Sequence, residues 1–299
     1  MTKKTAYLID SSIYIFRSWY TLPDTIRDAE GNPLNALYGF SDFVSKFLAE
    51  VKPKFIFFAF DGSLKSSYRN EIFPDYKANR ESAPDELKKQ FLLCRDFLEF
   101  MGLPYLSSET YEADDIIGTL SSRLKKKGFI IKILTADKDL TQLIEKGDIW
   151  WDYSKDRKLT THGIKKEFGV FPNQIADLLA IAGDPVDNIP GVPGVGLKTA
   201  AKLLNRFETA ENMLNNVEKI SNMKMRGSQR VEKLIHEHKE NIVLSKKLTL
   251  IETKAKLGKN LRITKKAHNI NNLDDFFSRV SFSEKRRQRF KETLKQYNA

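Results

Sequence analysis

Nine acidic residues stand at positions where a chain could gather charge: Asp10, Asp61, Glu112, Asp114, Asp115, Asp137, Asp139, Asp184 and Asp187. The densest stretch is Tyr111–Gly118, YEADDIIG, with three carboxylates in four residues ahead of an apolar pair. Each acid has an ordinary use when taken alone. Asp10 precedes Ser11 and Ser12 and could cap a helix. Asp61 precedes Gly62 and could belong to a turn. Glu112, Asp114 and Asp115 could favour the positive end of the helix that follows. As a set they suggest more. Asp137 and Asp139 lie two apart at the end of a strand-like run, which puts them on one side of an extended backbone. Glu112 and Asp115 lie three apart and share a helical face. Two like charges about 4 Å apart repel by about 4 kcal/mol at an effective dielectric near 20, so such a gathering requires strong cations. Oxygen ligands without His or Cys nearby suit hard ions such as Mg²⁺ or Mn²⁺. His162, His236, His238 and His268 lie outside these stretches. His236 and His238, two apart on a helix, face different ways, which argues against zinc. Two carboxylate-held divalent ions about 4 Å apart are a usual apparatus of phosphodiester cleavage.

The elements that must position these acids alternate. Thr5–Asp10 (TAYLID), Phe55–Asp61 (FIFFAFD) and Phe129–Asp137 (FIIKILTAD) are apolar runs that each end in an acid. Continuous apolar runs of this length predict strands buried on both faces. Helical patterns occupy about 35–51, 84–101 and 113–127. The alternation predicts an α/β domain with a mostly parallel sheet, in which ligands bind beyond the carboxyl ends of the strands. After about residue 162 the strand signal fades, and 163–182, 196–207, 226–247 and the tail from Asp274 to Asn298 predict helices. The expected division is an α/β domain over 1–162 and a helical, basic domain over 163–299.

With 41% hydrophobic residues the 299-residue chain can bury substantial cores. The single cysteine, Cys94, excludes an internal disulfide framework and fits a reducing cytoplasm. No apolar run reaches the roughly 18 residues of a membrane span, and the N-terminus has no signal-peptide core. The net charge of +11 is uneven: residues 224–299 hold 20 Lys and Arg against 8 Asp and Glu, while residues 1–223 hold 30 against 31. The C-terminal quarter therefore carries the whole excess, which suits a polyanion such as nucleic acid; a lysine-rich solvated helical surface is the plainer reading.

YEADD, then LTADKDL, then GDPVDNIPGVPGVGLKTAAKLL resembles the bacterial 5′-nuclease family, which includes the 5′→3′ exonuclease domain of DNA polymerase I, phage 5′-exonucleases and flap endonucleases. The resemblance runs from LIDSS at Asp10 to at least Leu204. It implies a PIN-like 5′-nuclease fold with a helical arch at about 66–100 and a helix–three-turn–helix at about 175–207. It also implies two metal positions: Asp10, Asp61, Glu112 and Asp114 around the first, Asp137, Asp139, Asp184 and Asp187 around the second, with Asp115 beside them. No acid of the pattern is missing.

Within SYRNEIFPDYKANR, Arg69, Tyr76, Lys77 and Arg80 offer cations and an aromatic face. On a helix Tyr76, Lys77 and Arg80 would be neighbours, and Tyr-Lys-x-x-Arg is the family's pattern at the base of the arch. By resemblance, Lys77 and Arg80 stabilise charge on the phosphate and Tyr76 stacks on a base; Arg69, a further cation of the segment, is expected to contact DNA. The run from Gly191 to Thr199 superficially looks like a P-loop, but Leu197 separates the last glycine, Gly196, from Lys198, and the preceding segment reads as helix rather than strand. Nucleotide binding is therefore not expected. Gly191, Gly194, Gly196 and Lys198 instead suit a grip on duplex backbone, where the family often holds K⁺.

The expected activity is metal-dependent, structure-selective hydrolysis at 5′ flaps, nicks or ends of duplex DNA, leaving 5′-phosphate and 3′-hydroxyl, in replication or repair. A monomeric, free-standing enzyme is expected, and RNA at the 5′ end stays open as a substrate. The alternatives are a non-catalytic DNA-structure-binding protein on the same fold, against which the complete acid set argues, and a PIN-type ribonuclease, against which the duplex-gripping loop argues.

Overall fold

The structure is a computed structural model, which describes residues 4–62, 67–266 and 270–298. Its centre is a six-stranded sheet. In chain order the elements are β1 (Thr5–Asp10), α1 (Ser11–Thr21), α2 (Asn35–Val51), β2 (Phe55–Asp61), α3 (Tyr68–Ile72), α4 (Asp85–Phe100), β3 (Tyr105–Ser108), α5 (Ala113–Lys125), β4 (Ile130–Leu134), β5 (Ile149–Asp152) and β6 (Arg157–Leu159). The strands lie in the order β3-β2-β1-β4-β5-β6, all parallel except β6. β1 leads outward to β2 and β3; the chain then crosses back through α5 to β4 on the other side of β1. The switch point of this doubly wound sheet therefore falls between β1 and β4, where the carboxyl ends diverge and leave room for a ligand.

Strand periodicity explains the two faces. Ile56, Phe58 and Phe60 enter one core with α2 and α4, while Phe57 and Ala59 enter the other with α5. Fully burying each of the isoleucine and phenylalanine side chains contributes about 1.5–3 kcal/mol. Beyond α5 lies the helical region: α6 (Thr161–Phe168), α7 (Ile175–Ala182), α8 (Leu197–Phe207), α9 (Ala210–Leu214), α10 (Ser228–Glu237) and α11 (Lys239–Thr249). Their apolar faces join the core on the α5 side.

Three expected long helices are interrupted. Gly169, at φ 76°, ends α6 before Pro172. His238 leaves helical geometry between α10 and α11. Ser281, at φ 52°, separates α12 (Ile270–Arg279) from α13 (Glu284–Asn298). The third expected strand is shorter than its sequence pattern: β4 ends at Leu134, so Asp137 lies beyond it and Asp139 opens a 3₁₀ turn, Asp139–Leu143. Three strands carry too weak a pattern to be read from sequence. β3 is a half-buried YLSS, β5 only four residues, and β6 a three-residue antiparallel edge.

The basic tail does not stay with the other helices. Residues 250–266 cross α5 and pass beyond β2, where the Ile56 amide donates to the Ile263 carbonyl at 2.8 Å and the Lys266 amide to the Gly102 carbonyl at 2.7 Å. α12 and α13 then pack Leu273, Phe276, Phe277 and Phe290 with Phe40, Phe47 and Phe97, on the opposite face of the sheet from α5. Part of the tail's charge is consumed there. Arg286 is buried over Tyr38, with its guanidinium carbon 3.3 Å from the ring centroid, and donates to Ser41 at 2.8 Å and Asp42 at 3.1 Å. Burial pushes its pKa down despite Asp42. Arg279 pairs with Asp96 at 2.8 Å and Lys291 with Asp274 at 2.7 Å. The positive excess that sequence places in one quarter of the chain is thus spread over two sides of the molecule.

Candidate functional site

Topology brings the acids to one edge. Asp10 ends β1 and Asp61 ends β2. Glu112 caps α5 and Asp114 lies in its first turn, just after β3. Asp137 and Asp139 follow β4, and Asp184 and Asp187 occupy the loop after α7. Their mutual influence shows that they share one field. Burial first, then the Asp61 and Asp137 charges, push Asp10 up to about 8, although Thr135 Oγ1 donates to it at 2.9 Å. Burial and the charges of Asp137, Asp10, Asp61 and Glu112 hold Asp114 well above the usual carboxylate range. Burial and then Asp137 push Asp139 up to about 7. Asp137 therefore links the acids expected around one metal to those expected around the other. Among the described residues, no three His, Cys, Asp or Glu side chains converge tightly enough to form a ready-made coordination shell.

Cations from the chain enter this field. Lys77 Nζ lies 2.9 Å from Glu112 Oε1 and 3.8 Å from Asp187 Oδ2. Burial alone would lower the Lys77 pKa, but Glu112, with Tyr76 and Asp187, raises it well above its ordinary value. In return Lys77 and then Arg69 hold Glu112 below the usual range against its own burial. Arg80 pairs with Asp187. Lys138, which sequence reasoning passed over although it stands between two acids in ADKDL, reaches Asp184 at 2.6 Å and Asp139 at 3.3 Å.

The segment carrying Lys77 and Arg80 is a series of turns rather than the expected helix, with Lys77 itself at φ 56°. It is pinned to the 184–189 loop: the Lys77 amide donates to the Asp187 carbonyl at 3.0 Å, Asn79 to the Pro185 carbonyl at 2.8 Å and Asn188 to the Asp75 carbonyl at 2.7 Å. α4, the C-terminal half of the expected arch, is packed against the body through Leu87, Cys94 and Phe97.

Four expected residues are placed differently from their predicted roles. Arg69 is only 2% exposed and turns inward, so it cannot reach DNA. Its guanidinium grips Asp115 at 2.7 and 2.8 Å. Asp115 also accepts the Glu112 amide at 3.1 Å and the Glu252 amide at 2.9 Å, so its oxygens are committed to structure rather than open to a metal. The resemblance sets Asp115 beside the metal positions and Asp114 among them; the orientation of α5 turns Asp115 away from the cluster and onto Arg69. Tyr76 is 4% exposed, buried with Ile189 and Leu248, and offers no ring face to a base. Its hydroxyl instead donates to Glu112 at 3.2 Å. Gly191 is buried at φ 53°, where an added Cβ would lie 2.1 Å from the Gly183 nitrogen. Its smallness serves the turn between α7 and α8, not a phosphate.

The outer part of the same hairpin is open. Gly194, Gly196, Leu197 and Lys198 are exposed, held from beneath by buried Val192 and Val195. Gly196, whose flank is empty, caps the N-terminus of α8, and first-turn amides of a helix have no intrahelical acceptor. Such a surface offers donors and positive charge to an anion.

The comparisons agree with this construction. Residues 5–169 match the family model for the 5′-3′ exonuclease N-terminal resolvase-like domain, and residues 170–272 match that for the 5′-3′ exonuclease C-terminal SAM fold. A 5′-3′ exonuclease from Aquifex aeolicus is 39% identical over 216 residues, covering 72% of this chain and 74% of the relative. DNA polymerase I of Bacillus caldotenax is 39% identical over 258 residues, covering 85% of this chain, but the match spans only 28% of that longer protein. Among solved structures, phage T5 5′-exonuclease with bound divalent metal ions superposes with a TM-score of 0.67 at 16% identity, covering 98% of this chain and 100% of the other. The catalytic core of Rad2 in complex with DNA substrate superposes with a TM-score of 0.64 at 15% identity, covering 98% and 93%. The fold and its acid-lined edge thus define a resolvase-like α/β domain joined to a SAM-type helical domain. The chain belongs to the 5′-3′ exonuclease family.

Proposed function

We propose that this chain is a divalent-metal-dependent nuclease that hydrolyses phosphodiesters at 5′ flaps, nicks or ends of duplex DNA, acting as a monomer. The observation that carries the reading is the shared field of Asp10, Asp114, Asp137 and Asp139 at the switch point, where burial and mutual repulsion leave the carboxylates short of positive charge. An all-oxygen donor set of this kind fits Mg²⁺ or Mn²⁺. Asp10, Asp61, Glu112 and Asp114 would hold one ion, and Asp137, Asp139, Asp184 and Asp187 a second. Divalent ions held there would supply the positive charge and the water activation that phosphodiester hydrolysis needs.

The remaining work falls to the chain's own residues. Lys77 and Arg80, now paired with Glu112 and Asp187, are cations at the site that can turn to a phosphate and stabilise its developing charge. Gly194, Gly196 and Lys198 hold the duplex by its backbone without reading sequence. The Rad2 core, of the same fold, was solved on DNA, which supports a DNA substrate over the ribonuclease alternative. Mg²⁺-dependent cutting of a 5′-flap duplex, abolished by EDTA, tests the reading; parallel RNA flaps decide between substrates. Binding of the flap without any cutting, in either Mg²⁺ or Mn²⁺, would leave the non-catalytic alternative.

A further inference from the structure

Five consecutive residues, the last two of α11 and the three that follow it, are each held by a side chain from the catalytic edge. The Leu248 carbonyl accepts from Arg69 Nε at 2.9 Å. The Thr249 carbonyl accepts from Gln142 Nε2 at 3.0 Å. The Leu250 carbonyl accepts from Arg69 Nη2 at 3.1 Å. The Ile251 amide donates to Gln142 Oε1 at 3.0 Å, and the Glu252 amide donates to Asp115 Oδ1 at 2.9 Å. The three holders reach both halves of the acid cluster. Arg69 contacts Glu112 at 3.4 Å as well as Asp115, which spends every guanidinium donor it has. Asp115 also fixes the Glu112 amide. Gln142 donates to the Asp139 carbonyl at 3.1 Å. From its other side the strap grips α7: Thr249 Oγ1 donates to the Ala176 carbonyl at 2.9 Å, and Lys246 pairs with Asp177. α7 leads directly into the hairpin that carries Lys198. Gly118 of α5 keeps the contact close, since an added Cβ would lie 2.6 Å from Ile251.

We infer that residues 248–252 are a mechanical strap that transmits the position of the α7–α8 duplex grip to the acids, and that Gln142 and Arg69 are positioning residues acting through it. The inference rests on the proposed nuclease reading. Backbone groups held at both ends leave little slack, and a misplacement of about 1 Å in a catalytic group can cost roughly hundredfold in rate. Arg69 is buried, and both side chains are committed to hydrogen bonds within the protein.

The test uses Gln142→Met, which keeps volume and removes all three hydrogen bonds, and Arg69→Lys, which keeps charge and loses the fork. Single-turnover cleavage of a 5′-flap duplex is measured at saturating enzyme, so that inactive molecules do not count. Dissociation constants are measured over a salt series in Ca²⁺, and amide exchange is followed at Ile251 and Glu252. The strap predicts faster exchange at those two amides, a cleavage step slowed roughly tenfold or more, and an unchanged salt slope. A residue that bound phosphate would instead lower that slope by about one. Faster exchange with an unchanged cleavage step, or a reduced salt slope, overturns the inference while the wild type still cuts. If Gln142→Met does not fold, the same readings on Arg69→Lys decide. If the wild type itself does not cut flaps, the nuclease reading falls and the strap's role falls with it.

Discussion

Asp115 holds Arg69 through two hydrogen bonds of 2.7 and 2.8 Å with both side chains buried, whereas its neighbour Asp114 has no side-chain hydrogen bond or ion pair among the described residues. Adjacent residues of one type thus have opposite jobs. Asp115→Ala leaves a buried guanidinium uncompensated and should destabilise the protein by about 3–5 kcal/mol. Asp114→Asn removes a carboxyl whose charged form burial and the neighbouring acids disfavour, and should raise the melting temperature of the metal-free protein most at the alkaline end of the pH range. Thermal denaturation of both variants in EDTA checks the pair, and a destabilised Asp114→Asn would contradict the crowding on which the site rests.

The pH dependence follows from Asp10, pushed up to about 8, and Asp139, pushed up to about 7, both from 3.8. The folded state binds these protons more tightly than the unfolded state, so the stabilisation is full below the unfolded value and is lost as pH rises through the folded ones. Metal-free stability should therefore fall between about pH 4 and pH 8 on account of this cluster. Divalent ions compete with the same protons, so the rise in melting temperature on adding Mg²⁺ should be larger at pH 8 than at pH 6. A rise that is equal at both pH values removes these two acids from the site.

The hairpin glycines should divide. Gly191→Ala forces a Cβ into the Gly183 backbone at a positive φ and should cost more than about 2 kcal/mol. Gly196→Ala meets no atom within 4 Å and should cost under about 1 kcal/mol, while interfering with DNA at its surface. Denaturant unfolding measures the first effect and binding of a blunt duplex the second.

Salt dependence separates used from unused charge. Lys198→Ala should reduce the slope of log affinity against log salt by about one. Arg286→Met, in the packed tail, should lower stability and leave the slope unchanged. Equal slopes for wild type and Lys198→Ala would remove the hairpin from the interface.

The frame of the molecule was legible because it is written in strong periodicities. β1, β2 and α2 follow their apolar patterns to the residue. The acid cluster was legible because like charges at several neighbouring strand ends repel one another unless cations hold them there. Orientation was not. Whether Arg69 faces DNA or Asp115, and whether Tyr76 stacks or is buried, depends on contacts with residues such as Leu248, which sequence separation hides. The tail misled for a related reason: charge counts say nothing of Phe276, Phe277 and Phe290 drawing the basic helices onto the far side of the sheet.

The most direct test of the account is cleavage of a 5′-flap duplex by wild type and Asp114→Asn, in Mg²⁺ and in EDTA, with DNA affinity measured in Ca²⁺. The account predicts Mg²⁺-dependent cutting by the wild type that leaves a 5′-phosphate, and near-complete loss of cutting in Asp114→Asn with affinity retained. Cutting that survives either EDTA or Asp114→Asn at the wild-type rate would contradict it.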